Sequence, residues 1–166
     1  IEQAITSILS QQFQERFELI IGDDCSTDGT SDIVRRFHAQ NPETITLVSS
    51  SQNVGADANF KRCIRAARGE FIAFCEGDDY WHSPEKLRKQ ITVLETQDSV
   101  GAVHSDFSHT RLLNERWKVL PTFNRQHRKK IPHGAVFENL LSGNFIQTCT
   151  LCTRSRLVID FLDCEL

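Results

Sequence analysis

The stretch Phe17-Glu18-Leu19-Ile20-Ile21-Gly22-Asp23-Asp24 decides the fold class of this chain. Its branched apolar centre is typical of a short, buried parallel strand, and two aspartates follow directly where that strand ends. A second stretch, 70–81, repeats the arrangement as Glu-Phe-Ile-Ala-Phe-Cys followed by Glu-Gly-Asp-Asp-Tyr-Trp. In parallel α/β sheets, ligands bind at the carboxyl ends of the strands, so both acidic groups stand where a ligand is expected.

The segments around these two strands alternate between helical and strand periodicity. The first part predicts a helix at 1–9, a strand at 17–22, a helix through 33–37, a strand at 44–48, a helix at 58–68, a strand at 70–75, a helix from 84 through 94, and a strand at 101–104. After a weaker pattern over 106–132, the order is a helix at 134–141, a strand at 148–152 and a helix at 156–162. This alternation with short links predicts an α/β domain with a largely parallel sheet.

Composition excludes several classes of protein. The chain has 166 residues, 39% of them apolar, and a net charge of −3, which describes an ordinary globular domain rather than a dedicated nucleic-acid binder. No P-loop, dinucleotide-binding glycine motif or G-x-S-x-G elbow is present. The six cysteines are scattered, which favours reduced thiols in a cytoplasmic protein over a disulfide scaffold.

The acidic clusters point to a divalent cation. Carboxylates at a strand end repel one another unless a cation neutralises them, and Mg²⁺ or Mn²⁺ bound by one or two protein oxygens and by phosphate is a common solution. A solvated acidic turn explains either cluster equally well when it is taken alone. For Cys149-x-x-Cys152 we favour two ordinary strand thiols over a zinc site, because no second pair of ligands follows at a suitable spacing.

Five blocks in a fixed order carry a family resemblance. They are 20–30 (Ile-Ile-Gly-Asp-Asp-Cys-Ser-Thr-Asp-Gly-Thr), Asn53-Val54-Gly55, 67–74 (Ala-Arg-Gly-Glu-Phe-Ile-Ala-Phe), 76–81 and 84–90 (Pro-Glu-Lys-Leu-Arg-Lys-Gln). Their succession closely resembles glycosyltransferase family 2, a group of inverting enzymes that use nucleotide sugars. The resemblance implies a GT-A fold, which is a Rossmann-like three-layer α/β/α sandwich with a mostly parallel central sheet.

The same resemblance implies roles for individual residues. Asp24 matches the carboxylate that contacts the nucleotide base, Asp23 is its neighbour, and Asn53 belongs to the same nucleotide-sugar site. Glu76-Gly77-Asp78 occupies the D-x-D position, with Asp78 as the ligand of Mn²⁺ or Mg²⁺ and Asp79 as a contact either to the groups around the metal or to the sugar. The sequence departs from the family in Glu76, which replaces the first aspartate, and in Phe60-Lys61, which stand where relatives often have an arginine.

The resemblance also implies a domain plan. Residues 1–166 are expected to form one GT-A-like catalytic domain, a fragment that lacks the first strand and the segment with the catalytic base. Residues 1–105 would bind the nucleotide sugar, and residues 106–166 would form part of the acceptor side. Asp160, Asp163 and Glu165 lie near the end but in no recognisable motif, so the catalytic base is expected beyond Leu166.

The implied activity is metal-dependent transfer of a sugar, with inversion, to an acceptor hydroxyl in the synthesis of bacterial surface polysaccharide or another glycan. The partners would be a nucleotide-sugar donor and a glycan or lipid-linked acceptor, with no nucleic acid. Two alternatives stay open: a nucleotide- or glycan-binding module without turnover, and a sugar nucleotidyltransferase. The basic run Arg125 to Lys130 reads first as an exposed loop, and alternatively as an attachment to an anionic acceptor or to the cytoplasmic membrane surface.

Overall fold

The computed structural model describes residues 1–114, 116–127, 132 and 134–164. Over 1–104 helices and strands alternate in the predicted order. The first eight elements are α1 (Glu2–Leu9), β1 (Leu19–Asp23), α2 (Thr30–Gln40), β2 (Ile45–Ser49), α3 (Ala56–Ala66), β3 (Phe71–Ala73), α4 (Lys86–Thr96) and β4 (Ala102–His104). They are followed by β5 (Thr110–Leu113), β6 (Arg116–Val119), α5 (Phe123–His127), α6 (Phe137–Ser142), a 3₁₀ turn (Thr148–Thr150), β7 (Leu151–Arg154) and α7 (Ser155–Asp163).

The described strands form three hydrogen-bonded groups. Strands β1 and β2 pair in parallel, from Leu19 opposite Ile45 to Asp23 opposite Ser49. Strand β7 lies between β3 and β4 and is antiparallel to both, so β3 and β4 run in the same direction. Strands β5 and β6 form a separate antiparallel hairpin.

Adjacent residues of β1 show why helices cover both faces of the sheet, since successive side chains of a strand point to opposite sides. Ile21 packs with Ile5 of α1, Val34 of α2 and Ile45 of β2. On the other face Gly22 lies against α3, where a Cβ atom would come within 2.8 Å of the Asn59 side-chain nitrogen. A side chain at this position would therefore displace α3.

The second part of the core continues the same layering. Leu94 and Ile91 of α4 pack against Cys152 of β7, and Ile8 of α1 shares a cluster with Leu87 of α4. Helix α7 contacts both β7 and α3. Helices α1, α2 and α4 thus line one face, and α3 and α7 line the other. The predicted three-layer α/β/α class is confirmed.

The region after β4 differs from the predictions. The weak pattern over 106–132 contains the β5–β6 hairpin, which the sequence did not predict, and its turn has Asn114 at a left-handed φ of 49°. The predicted loop at 125–130 is wrong for 125–127, which belong to α5, and 128–130 lie outside the described residues.

The last elements are shifted from their predicted bounds. The helix predicted at 134–141 is the shorter α6, and the strand predicted at 148–152 begins as a 3₁₀ turn. Among the described residues, no helix combines the length and the apolar character needed to cross a membrane.

Candidate functional site

Asp23 is a buried carboxylate at the end of β1, with 6% of its surface exposed. Its Oδ1 accepts a hydrogen bond of 3.1 Å from the backbone N–H of Ser26, and its Oδ2 accepts one from the Ser31 hydroxyl. Burial alone raises the pKa of Asp23, but the hydrogen bonds from Ser26 and Ser31 outweigh it and hold the pKa below its usual value. Asp23 therefore fixes the loop between β1 and α2 as a charged acceptor.

Asp24 joins the end of β1 to the loop that precedes α3. Its two carboxylate oxygens accept hydrogen bonds of 2.8 Å from the backbone N–H groups of Val54 and Gly55. Asn53 Oδ1 accepts a further bond of 3.1 Å from Gly55, whose left-handed φ of 91° favours glycine. The structure thus brings the predicted residues Asp24 and Asn53 together on one turn.

The acidic turn after β3 forms a second group. The backbone N–H of Asp79 donates to the Glu76 carbonyl at 3.1 Å, which closes a tight turn and brings residues i and i+3 close together. Glu76, Asp79 and Cys149 each offer one ligand atom, and these atoms lie within 4.8 Å of one another. Both carboxylates are exposed and the thiol is half-buried. The group is an open site at the edge of the fold.

The positions of Asp78 and of the Cys149–Cys152 pair can be compared with this group. Asp78, the predicted metal ligand, is exposed in the centre of the turn and is not among the three clustered residues. Cys149 and Cys152 do not act as a pair, because Cys152 is fully buried in the core whereas Cys149 reaches the acidic turn. All six cysteines lie within the described residues, and each is a free thiol.

Trp81 is a buried residue that supports the acidic turn from the core. It is 7% exposed, and its indole N–H lies 3.3 Å from the Phe74 carbonyl and 3.1 Å from the Cys149 carbonyl. Its backbone N–H donates to the Ser7 hydroxyl at 3.0 Å. Through its backbone and its indole, Trp81 therefore connects α1, the strand end and the segment that supplies Cys149.

Lys86 is a buried cation behind Trp81. Its Nζ lies 4.3 Å from the centre of the Trp81 ring and donates to Gln90 Oε1 at 2.7 Å. The Gln90 amide nitrogen in turn donates to the carbonyls of Val103 and Thr150. Burial lowers the pKa of Lys86 to about 8. Sequence reasoning missed this residue, although Pro84-Glu85-Lys86-Leu87 was part of the family pattern.

The donor set fits a divalent cation. Two carboxylate oxygens suit Mn²⁺ and Mg²⁺, and a thiol is available as a softer third ligand. Burial, with the neighbouring Asp79, raises the pKa of the Cys149 thiol to about 12, so this thiol is protonated at neutral pH without a cation. Sequence reasoning missed Cys149 because only the crossing of β7 between β3 and β4 brings it here.

The position where relatives often have an arginine has other partners. Phe60 stacks on Phe74 with ring centres 5.6 Å apart. Lys61 Nζ pairs with the Asp57 carboxylate at 2.9 Å on the exposed surface of α3. In place of the arginine that relatives often have, this chain therefore has an aromatic residue, Phe60, that stacks on Phe74, and a lysine, Lys61, that pairs with Asp57 of the same helix.

The sequence matches the family described as Glycosyl transferase family 2 over residues 1–158. The chain belongs to this family. An uncharacterized protein of Mycobacterium tuberculosis is 42% identical over 163 residues, which cover 96% of this chain and 44% of that protein. The Escherichia coli UDP-Glc:α-D-GlcNAc-diphosphoundecaprenol β-1,3-glucosyltransferase WfaP is 34% identical over 93 residues, 56% of this chain and 35% of that protein. The chain spans about half the length of the curated relatives that it matches along most of its own length.

Two solved structures support the GT-A assignment. The mannosyltransferase PcManGT from Pyrobaculum calidifontis, in complex with GDP-Man and Mn²⁺, has a TM-score of 0.57 and 30% identity, and the match covers 63% of this chain and 30% of PcManGT. S. aureus TarS in complex with UDP has a TM-score of 0.61 over 97% of this chain and 44% of TarS. At 22% identity the TarS likeness concerns the fold alone.

Proposed function

We propose that the chain is the donor-binding part of a glycosyltransferase that transfers a sugar from a nucleotide sugar to an acceptor hydroxyl with inversion, in glycan biosynthesis. The observation that carries the proposal is the pair of polar groups at the ends of β1 and β3, in a chain of this family. We assign nucleotide-sugar binding to residues 1–105 and part of the acceptor side to residues 106–166.

The nucleotide base is proposed to bind at Asp24. Each oxygen of a carboxylate has a second lone pair, so Asp24 can accept a hydrogen bond from a base N–H and still hold Val54 and Gly55. Such a charge-assisted bond is directional and therefore selective. Asp23 acts as a positioning residue, because Ser26 and Ser31 already occupy its oxygens.

The diphosphate is proposed to bind at the acidic turn through Mn²⁺ or Mg²⁺. Glu76 and Asp79 would hold the cation, with Cys149 beside them and Asp78 as the ligand that the family pattern implies. The bound cation would neutralise charge on the departing nucleoside diphosphate. Trp81 and Lys86 keep the turn and Cys149 in place through the core, so this chain contributes a prearranged site.

The acceptor hydroxyl requires a general base on the face opposite the leaving group. We assign this base to none of the residues that the structure describes. WfaP is named for an acceptor carried on diphosphoundecaprenol, and we propose a lipid-linked acceptor for this chain as well. The reaction would then take place in the cytoplasm at the membrane surface.

A donor screen tests the proposal. The melting temperature is measured with UDP- and GDP-sugars, with and without Mn²⁺, because a ligand that binds only the folded state raises stability, by about 2.7 kcal/mol at a hundred times its Kd. We expect stabilisation that needs both the nucleotide sugar and Mn²⁺. Asp24→Ala should weaken binding of the nucleoside diphosphate and of the nucleoside by a similar factor.

The matched control is Asp57→Ala, which removes an exposed carboxylate paired only with Lys61 and should leave nucleotide affinity unchanged. Affinities are compared by calorimetry at a temperature where all variants are folded. Absence of stabilisation by any nucleotide sugar would contradict the proposed function. Binding of a nucleotide sugar without sugar transfer by the full-length protein would favour a binding module without turnover.

A further inference from the structure

The β5–β6 hairpin has two chemically different faces. Side chains of residues directly opposite each other on antiparallel strands project from the same face of the pair. Leu112 pairs with Trp117 and Thr110 with Val119, which gives one face three apolar side chains. The opposite face carries the pairs Arg111–Lys118 and Leu113–Arg116, and so three cations.

The apolar face is uncovered. Trp117 is 71% exposed, Val119 54% and Leu112 53%, and all eight residues of the two strands are exposed. Neither strand pairs with any other strand of the described chain. Contiguous exposed apolar side chains mark interaction sites more often than chance, because folding normally removes such surface from water.

The stretch of sequence that contains the hairpin has a charge opposite to that of the whole chain. Residues 107–132 include seven Lys or Arg and one acidic residue, whereas the whole chain has a net charge of −3. Among the described residues, Arg111, Arg116 and Lys118 have no ion-pair partner. The partner of this surface is therefore expected to be both anionic and able to accept apolar side chains.

The two ends of the hairpin are joined to each other at its base. The backbone N–H of Leu120 donates to the His109 carbonyl at 2.8 Å, and that of Phe123 donates to Phe107 at 2.7 Å. The rings of Phe107 and Phe123 stack with centres 5.0 Å apart. These contacts close the base of the hairpin, and the side chains on both faces of its strands are exposed.

We propose that the β5–β6 hairpin docks on an anionic bilayer surface. Trp117, Leu112 and Val119 enter the interface, a region that tryptophan prefers because its ring is both apolar and polar. The hairpin then lies within the headgroup layer, so that Arg111, Arg116 and Lys118 on its opposite face contact the phosphates. A nucleic acid would not explain the apolar face, and an apolar protein surface would not explain the cations. The inference rests on the proposed function, because a lipid-linked acceptor would lie at that surface.

Vesicle binding tests the docking surface without donor or acceptor. Partition to vesicles of phosphatidylcholine with 30% phosphatidylglycerol is compared with pure phosphatidylcholine at low and high salt, about 0.02 and 0.5 M, because headgroup attraction is screened by salt. The apolar variant is Leu112→Ser/Trp117→Ser/Val119→Ser, and the basic variant is Arg111→Gln/Arg116→Gln/Lys118→Gln. Phe161→Ser is the matched control, since Phe161 is 74% exposed on α7.

The parent chain should bind the anionic vesicles, with the fluorescence of Trp117 shifted to the blue and quenched by brominated acyl chains. The apolar variant should lose at least tenfold in partition at both salt concentrations. The basic variant should lose its preference for anionic lipid, and Phe161→Ser should stay within twofold of the parent. Circular dichroism confirms that each variant is folded.

Several results would overturn the proposal. They are absence of vesicle binding by the parent, an equal loss in Phe161→Ser, and a concentration-dependent doubling of mass that the apolar variant abolishes, which would assign the face to a second copy of the chain. Failure of the proposed function would give a different result. No nucleotide sugar would then stabilise the chain, while vesicle binding by the hairpin would be unaffected.

Discussion

The two tryptophans of the chain belong to regions built on opposite principles. Trp81 is 7% exposed and holds together a helix, a strand end and the acidic turn, whereas Trp117 is 71% exposed on a hairpin that covers no core. Around Trp81 the polar groups already have partners within the chain. Around Trp117 both the apolar and the charged groups are left for a partner. The comparison separates a site that is prearranged by the core from a surface that is available for docking.

Truncation of the two tryptophans should have very different effects on stability. We expect Trp81→Ala to lower the free energy of unfolding by about 3–5 kcal/mol, because it opens a cavity and removes the donor shared by the Phe74 and Cys149 carbonyls. Trp117→Ala should change the same quantity by less than about 0.5 kcal/mol, since the Trp117 side chain is largely exposed. Urea unfolding of both variants measures the difference. Similar losses in the two variants would break the comparison.

The same contrast explains what the sequence could predict. Over 1–104 the helices and strands pack apolar side chains into the core. The spacing of these side chains along the sequence therefore predicted the elements. The residues of the hairpin strands are exposed, so burial imposes no regular apolar pattern on a stretch such as Arg111, Leu112 and Leu113. Asn114, which tolerates the left-handed turn, was the available local signal.

Site residues could be predicted only where residues nearby in the sequence determine their position. Asp24 and Asn53 were found as separate motifs, and the structure shows that one hydrogen-bonded turn joins them. Within the acidic turn, the family resemblance assigned the metal to Asp78. The clustering of Asp79 with Glu76 and Cys149 depends on the turn that closes between Glu76 and Asp79, which no local pattern predicts. Cys149 comes from a distant segment, so no local pattern could predict its place.

A pH titration of stability sharpens the account of the buried region. Because burial lowers the pKa of Lys86 from 10.5 to about 8, the unfolded chain binds the proton more tightly than the folded chain. Stability should therefore rise with pH between about 8 and 10.5 through this group, by about 3 kcal/mol in total. The measured quantity is the difference in free energy of unfolding between the parent and Lys86→Met at each pH.

Buried thiols oppose this rise, since burial raises the pKa of Cys75 to about 12 and so lowers stability above pH 9. They are present in both proteins, so most of their effect cancels in the difference, apart from the influence of the Lys86 charge on the pKa of Cys75 and Cys152. Lys61→Met, at the exposed lysine paired with Asp57, serves as the control for the removal of a surface charge. A flat difference for Lys86→Met would mean that Lys86 is solvated rather than buried.

The most direct test of the central claim is calorimetric titration of the nucleoside diphosphate, UDP or GDP, that the donor screen selects, into Asp79→Asn, Asp78→Asn and the parent chain, with and without Mn²⁺. The site at the end of β3 predicts an affinity in the parent that depends on Mn²⁺. Asp79→Asn should reduce that affinity at least tenfold, about 1.4 kcal/mol. The loss of affinity in Asp78→Asn measures the contribution of Asp78, the ligand that the family pattern implies. Mn²⁺-dependent affinity that survives unchanged in both variants would contradict a nucleotide-sugar site at the acidic turn.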